Sequence, residues 1–189
     1  GAVVYKKHLS MCNGANIAYL KKVFGEVNGF AGIDHIASGD DMLLMHKIWH
    51  QHPDGVFYLK AKEAIVSTQP QKTWKTFFDQ RIRWASKAGK YDDKRFLPVL
   101  LLVYLFNFSF LVLFIAGFFC YQNWLYLAGF WIGKTLAELP LFVSAASFFN
   151  KQWAIKWFFF FQPLHIVYTI ISGLFGQLGK YEWKGRMVR

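Results

Sequence analysis

The residues best suited to chemistry form the segment 80–84, Gln-Arg-Ile-Arg-Trp, which lies shortly before the sequence becomes almost continuously apolar. A helix over 71–88 would place an amide, a guanidinium, an indole and an ammonium on one face, because their spacing is i, i+3, i+4, i+7. These residues are Gln80, Arg83, Trp84 and Lys87. A guanidinium binds phosphate through paired hydrogen bonds, and an indole ring can stack on a sugar. This face is therefore a candidate ligand surface.

The opposite face of the same predicted helix is apolar. Its members are Trp74, Phe77, Phe78, Ile82 and Ala85. A basic helix with an aromatic stripe is also typical of a helix that lies on a membrane surface. The two interpretations are compatible, since an interfacial helix can carry a site on its polar face.

A second candidate for chemistry is the acidic pair Asp40 and Asp41, which follows Ser38 and Gly39. Ser38 can cap a helix that begins here, and both acids lie where the helix dipole favours negative charge. Taken alone, the pattern indicates a capping box. Two adjacent acids nevertheless leave one carboxylate available as a general base.

Three further patterns complete the polar half. Residues 13–16, Asn-Gly-Ala-Asn, predict a turn before a short helix ending near position 24, and the small Gly14 and Ala15 permit close approach of a ligand or backbone. Residues 56–59 and 63–68 predict two short strands. The pair His46 and His50 has metal-ligand spacing but no evident third ligand, so no metal site is expected in this chain.

Composition separates the chain into a polar and an apolar half. It has 189 residues, a net charge of +11 and 54% hydrophobic residues. Apolar segments at 96–120, 124–149 and 153–178 are each long enough to cross a bilayer, although Lys134 and Glu138 interrupt the second. We therefore expect a domain over 1–95, a membrane region of about three helical segments over 96–179 and a basic tail over 180–189.

The charges and cysteines narrow the possible partners. Basic residues alternate with acids and no nucleic-acid-binding motif is present, so nucleic acid is not an expected partner. Lipid head groups or a nucleotide diphosphate suit a membrane-attached basic chain better. Cys12 and Cys120 fall in different halves, which predicts no disulfide. Residues 1–10 resemble the middle of a domain, so an N-terminal portion is expected to be missing.

The positive-inside rule conflicts with three full spans. If the first half is cytosolic, three spans would place the basic tail 180–189 outside. Either one of the last two apolar segments is re-entrant or interfacial, or the rule fails at this terminus.

In order and spacing, residues 13–16, 39–41 and 80–84, followed directly by apolar segments, resemble the second half of a membrane-integrated family 2 glycosyltransferase. Cellulose, chitin and hyaluronan synthases are members of that family. The resemblance covers most of residues 11–95. It implies a partial GT-A-like α/β domain followed by α-helical transmembrane segments. The implied reaction is inverting transfer from an NDP-sugar to a glycan or lipid-linked acceptor.

The resemblance also assigns roles to residues. Asp41 takes the place of the general base, with Asp40 where the family usually has Glu. The residues in the places of donor and acceptor contacts are Gln80, Arg81, Arg83 and Trp84, and the loop bordering the acceptor pocket is Asn13, Gly14, Ala15 and Asn16. The family's divalent metal, Mg²⁺ or Mn²⁺, is held by an Asp-x-Asp motif that these residues lack.

Because that motif and the nucleotide-binding strand are absent, this chain alone is expected to be incomplete and inactive. The implied location is a bacterial inner membrane, with the catalytic part in the cytosol. The alternative hypothesis is a non-enzymatic membrane module, a transporter or scaffold, in which Lys134, Glu138 and His165 line a path.

Overall fold

The structure is a computed structural model that describes residues 12–34, 39–87, 96–178, 181–183 and 186–188. The described residues divide into two compact units, one ending at Gln71 and the other beginning at Lys72.

The first unit contains two helices, α1 (Lys21–Glu26) and α2 (Asp40–Gln51), and 3₁₀ turns at Gly14–Asn16 and Lys62–Ala64. Helix α1 ends in a Schellman motif: Gly29 N donates to Phe24 O at 2.8 Å and Asn28 N to Gly25 O at 3.0 Å. Its small core consists of Val27, Leu44 and Ile48, against which Val23, Phe24, Ile33 and Val56 pack.

Helix α2 begins where Gly39 adopts a positive φ of 98°. Few L-residues adopt this backbone conformation, so glycine suits the position. Asp40 and Asp41 occupy the first turn, and the helix stops at Gln51, before the turn at His52 and Pro53. The predicted cap, Ser38, lies outside the described residues.

The prediction of an α/β class is wrong. No strand occurs within residues 12–34 or 39–87, and elsewhere the described residues are helical except for one short hairpin. The predicted strand over 56–59 is irregular, with Phe57 84% and Leu59 73% exposed, and the predicted strand over 63–68 overlaps a 3₁₀ turn. Alternating apolar residues favour an extended chain, but a strand also requires a hydrogen-bonded neighbour, and the described part of this unit supplies none.

The second unit is built from four helices. They are α3 (Trp74–Ala85), α4 (Phe96–Gly117), α5 (Gln122–Phe148) and α6 (Ile155–Leu178). A 3₁₀ turn over Gln152–Ala154 precedes α6, and an antiparallel hairpin of β1 (Tyr181–Trp183) and β2 (Arg186–Val188) follows it. Helix α3 starts at a capping box between Thr73 and Thr76.

Glycines bring α6 close to its neighbours. A Cβ on Gly173 would lie 2.5 Å from the Tyr104 ring of α4, and a Cβ on Gly176 would lie 2.7 Å from Ala85 Cβ of α3. Gly173 is near the end of α6 and Tyr104 near the start of α4, so the C-terminal part of α6 packs against the N-terminal part of α4. The helix continues through Pro163 and both glycines without a break.

Two helices of this unit are long and apolar enough to cross a membrane. They cover Leu97–Gly117 and Gln152–Leu178, and only 11% and 17% of their most apolar windows are buried. Such exposure is unlike the buried core helix of a soluble protein. Helix α5 has the length of a span but carries Lys134 and Glu138 near its middle.

Candidate functional site

The Asp41 carboxylate, in the first turn of α2, is held by two main-chain amides. Its Oδ2 accepts a hydrogen bond from Gly14 N at 2.6 Å, and its Oδ1 accepts one from Met42 N at 2.8 Å. Asp41 is half-buried, whereas Asp40 beside it is exposed. Each carboxylate oxygen has a further lone pair, so Asp41 can still accept a proton from a ligand hydroxyl.

The loop over residues 13–16 is held by hydrogen bonds within the loop and to Asp41. Asn13 Oδ1 accepts from Ala15 N at 3.0 Å, and Asn16 Nδ2 donates to Ala64 O at 2.7 Å. A Cβ on Gly14 would lie 3.2 Å from Asp41 Oδ2. The sequence predicted that a ligand or another backbone segment could approach Gly14 closely, and the group that approaches in the structure is the Asp41 carboxylate.

Cys12 belongs to the same site. Burial and, secondarily, the negative charge of Asp41 raise the pKa of the Cys12 thiol to about 12. At neutral pH the group is therefore a protonated thiol and not a nucleophile. This leaves Asp41 as the basic group of the cluster.

The residues present do not fit a divalent metal. Among the described residues, no group of three His, Cys, Asp or Glu side chains could hold a metal ion. His52 Nε2 lies 2.9 Å from Glu26 Oε2 in an exposed pair that holds only these two possible ligands. His46, predicted as one of a possible metal pair, is fully buried inside α2.

In the second unit, the apolar stripe of α3 rests on α6. The ring centroids of Phe77 and Tyr168 are 5.5 Å apart and nearly perpendicular, and Gln177 Nε2 donates to Ala85 O at 3.0 Å. The Arg81 guanidinium lies 4.6 Å from the centroid of the Trp84 ring and 5.6 Å from that of Tyr168. Arg81 therefore helps to hold α3 in place through aromatic contacts.

The ligand face of α3 keeps its polar character. Gln80 and Arg83 are half-buried, and Trp84 is exposed. Ser86 Oγ donates to Arg83 O at 2.9 Å, which ties the last turn of α3 together. These residues share a helix, but they belong to a different unit from Asp41 and the 13–16 loop.

A polar cluster joins α5 to α6. Lys134 Nζ donates to Glu138 Oε1, and Gln162 Nε2 donates to Glu138 Oε2 at 2.9 Å. The His165 ring lies 5.1 Å from the Tyr168 ring, centroid to centroid. The cluster thus continues along α6 toward the part of that helix covered by α3.

Two members of these clusters were missed by the sequence analysis. The sequence alone could not identify Cys12, because its role depends on a contact with a residue distant in sequence. Gln162 could have been identified, because it is a lone amide in a run of aromatic residues, three positions before His165. An intramembrane polar residue with a polar neighbour one turn away indicates a buried network.

Comparison of the chain with protein-family models, with curated proteins and with solved structures finds no match. The candidate sites are therefore supported by their geometry and not by any relative.

Proposed function

We propose that this chain is part of an inverting glycosyltransferase that moves a sugar from an NDP-sugar to a glycan or lipid-linked acceptor at a membrane. One observation carries the proposal: Asp41 Oδ2 accepts a hydrogen bond from Gly14 N at 2.6 Å. This contact joins two motifs, residues 13–16 and 39–41, that are separated in sequence. A pure helix cap would not require a second motif to meet it.

Asp41 is proposed as the general base. A sugar hydroxyl is a poor nucleophile, so a carboxylate must remove its proton as the oxygen attacks the anomeric carbon. The bond to the nucleotide diphosphate breaks as the new bond forms on the opposite side, which inverts the configuration. The two backbone amides fix the carboxylate without using all of its lone pairs.

The remaining contacts are proposed for α3. Gln80 and Arg83 would bind the diphosphate, whose charge grows as it leaves, and Trp84 would stack on the acceptor sugar. Arg81 is proposed to support them, since its guanidinium lies against the Trp84 ring. The divalent metal implied by the resemblance would be held by an Asp-x-Asp motif, which lies outside these residues.

We further propose that the protein lies in a bacterial inner membrane, with its first unit and its basic tail both in the cytosol. The two helices that are long and apolar enough to cross a membrane, α4 and α6, support two spans, which would return the chain to its starting side. That arrangement obeys the positive-inside rule, which three spans would break. Helix α5 would then not cross fully.

Cysteine labelling tests this topology in the full-length protein. An impermeant maleimide should label the exposed Cys120, between α4 and α5, from outside intact cells. It should not label a cysteine introduced by Arg189→Cys in a Cys120→Ser background. Labelling of the tail cysteine from outside would establish an odd number of crossings and reject the two-span topology.

The enzymatic proposal is tested by release of nucleotide diphosphate from a panel of UDP- and GDP-sugars. Asp41→Asn in the full-length membrane protein should lower turnover by about 10²–10⁴-fold while leaving donor binding largely intact. Asp34→Asn removes an exposed acid of the same unit and should have little effect. Normal turnover by Asp41→Asn, with the wild-type protein active, would reject Asp41 as the base.

A second function, a non-enzymatic transporter, is favoured by the Lys134–Glu138–Gln162 network alone. It gives no reason for the contact between Gly14 and Asp41. A proton flux into liposomes, measured with a pH-sensitive dye and abolished by Lys134→Met combined with Glu138→Leu, would favour it. Sugar transfer that persists in that double variant would favour the enzyme.

A further inference from the structure

A cleft of about 890 Å³ lies between the C-terminal half of α5 and the N-terminal half of α6. Its walls are almost entirely aromatic and aliphatic, with Phe142, Trp153, Trp157 and Phe161 among them, and three polar residues close one end. Those residues are Glu138, Gln162 and His165. The cleft is therefore apolar along its length and polar at one end.

The polar end contains a charge that is only partly covered. The Glu138 side chain is 41% exposed, whereas its partner Lys134 is 2% exposed. In an apolar environment an exposed carboxylate is unfavourable unless another group covers it. The neighbouring helices leave that position open.

Two other polar atoms at this end have no hydrogen-bond partner among the described residues. They are Gln162 Oε1, on a side chain only 2% exposed, and His165 Nδ1. Buried polar atoms are rarely left without a partner. Both atoms are enclosed by the protein, so a ligand in the cleft reaches neither of them, and the partly exposed Glu138 carboxylate is the acceptor that such a ligand can meet.

The size of the cleft selects the kind of occupant. From Trp153, in the 3₁₀ turn before α6, to His165 it runs for roughly 18 Å, at about 1.5 Å per helical residue. A helix of about 10 Å diameter and that length would need roughly 1,400 Å³, which exceeds the cleft, whereas ligand pockets are typically about 300–1,000 Å³. The cleft therefore fits a small amphiphile better than a partner helix.

Charge selects the polar group of that occupant. Lys134 already neutralises the Glu138 carboxylate, which is itself an acceptor, so neither an anionic phosphate nor a second cation is favoured. A neutral hydroxyl can donate to Glu138 and needs no counter-ion. We infer that the cleft binds a lipid alcohol, a large apolar molecule with a single hydroxyl at the polar end. This inference does not depend on sugar transfer at Asp41.

Photolabelling tests the site in the full-length protein reconstituted in phosphatidylcholine vesicles. The probe is hexadecanol carrying a diazirine, and the control probe is its methyl ether, which lacks the donor. Labelling within 153–165 should favour the alcohol by about tenfold, the value of one hydrogen bond to a charged or buried acceptor. Lys134→Met combined with Glu138→Leu removes the acceptor without leaving a buried charge, and it should abolish that preference.

Two alanines of α5 provide a matched pair for the cleft itself. Ala145→Trp fills the cleft and should abolish labelling, whereas Ala128→Trp, on the same helix but outside the cleft, should leave it unchanged. Equal labelling by alcohol and ether would mean that ordinary lipid chains fill the cleft, and would overturn the inference. Cross-linking of two copies through 153–165 that Ala145→Trp prevents would overturn it as well.

Discussion

The two units each position one carboxylate, and they do so by opposite means. In the first unit, Asp41 is held by two backbone amides at the start of a helix and remains half-buried. In the second, Glu138 is held by the side chains of Lys134 and Gln162 between apolar helices. Main-chain donors fix a carboxylate and leave lone pairs for chemistry, whereas a buried counter-ion makes the carboxylate necessary for the fold. The first arrangement suits catalysis and the second suits structure or ligand binding.

The largest expected effect is on the stability of the second unit. Glu138→Leu leaves the buried Lys134 ammonium without an acceptor, and breaking a buried pair in this way costs about 3–5 kcal/mol. Unfolding in mixed detergent micelles should report the loss.

A double variant serves as the control. Lys134→Met combined with Glu138→Leu replaces both charges by apolar groups, and it should recover most of the lost stability. Asp41→Asn should leave this unfolding transition unchanged. If Glu138→Leu were no less stable than the double variant, the ion pair would not be a structural element of the fold.

A smaller effect is expected in the first unit, at the glycine that begins α2. Gly39 has a φ of 98°, so Gly39→Ala should lower protection of the α2 amides from hydrogen exchange by about 1–2 kcal/mol. Gly25→Ala, inside α1 and with no atom within 4 Å of its added Cβ, should instead raise stability by up to about 1 kcal/mol. Equal effects of the two variants would show that the positive φ of Gly39 is not a requirement for the start of α2.

The sequence predicted elements defined by local periodicity. Helix α3 occupies Trp74–Ala85 within the expected 71–88, and the apolar segments expected from 96, 124 and 153 correspond to α4, α5 and α6. These elements are fixed by contacts between residues three or four positions apart. The predictions of strands over 56–59 and 63–68 were wrong, because a strand must pair with a neighbouring strand, which a local sequence pattern does not reveal.

The candidate sites were predicted by residue type but not by contact. Asp41 and the 13–16 loop were singled out separately, and their meeting depends on how α2 packs against a turn 27 positions earlier. Lys134 and Glu138 have i, i+4 spacing within one helix, whereas the contact of Glu138 with Gln162 crosses between helices. A periodic sequence pattern does not reveal contacts between residues of different helices or loops.

The central claim is that the Asp41 carboxylate lies against the segment from Cys12 to Gly14, and the Cys12 thiol reports it directly. In a Cys120→Ser background, the rate of iodoacetamide alkylation against pH should give a pKa of about 12 for Cys12. Asp41→Asn should lower that pKa, because the carboxylate charge opposes the thiolate, while burial still keeps it above the ordinary value of about 8.5. An ordinary Cys12 pKa that does not change in Asp41→Asn would contradict the site.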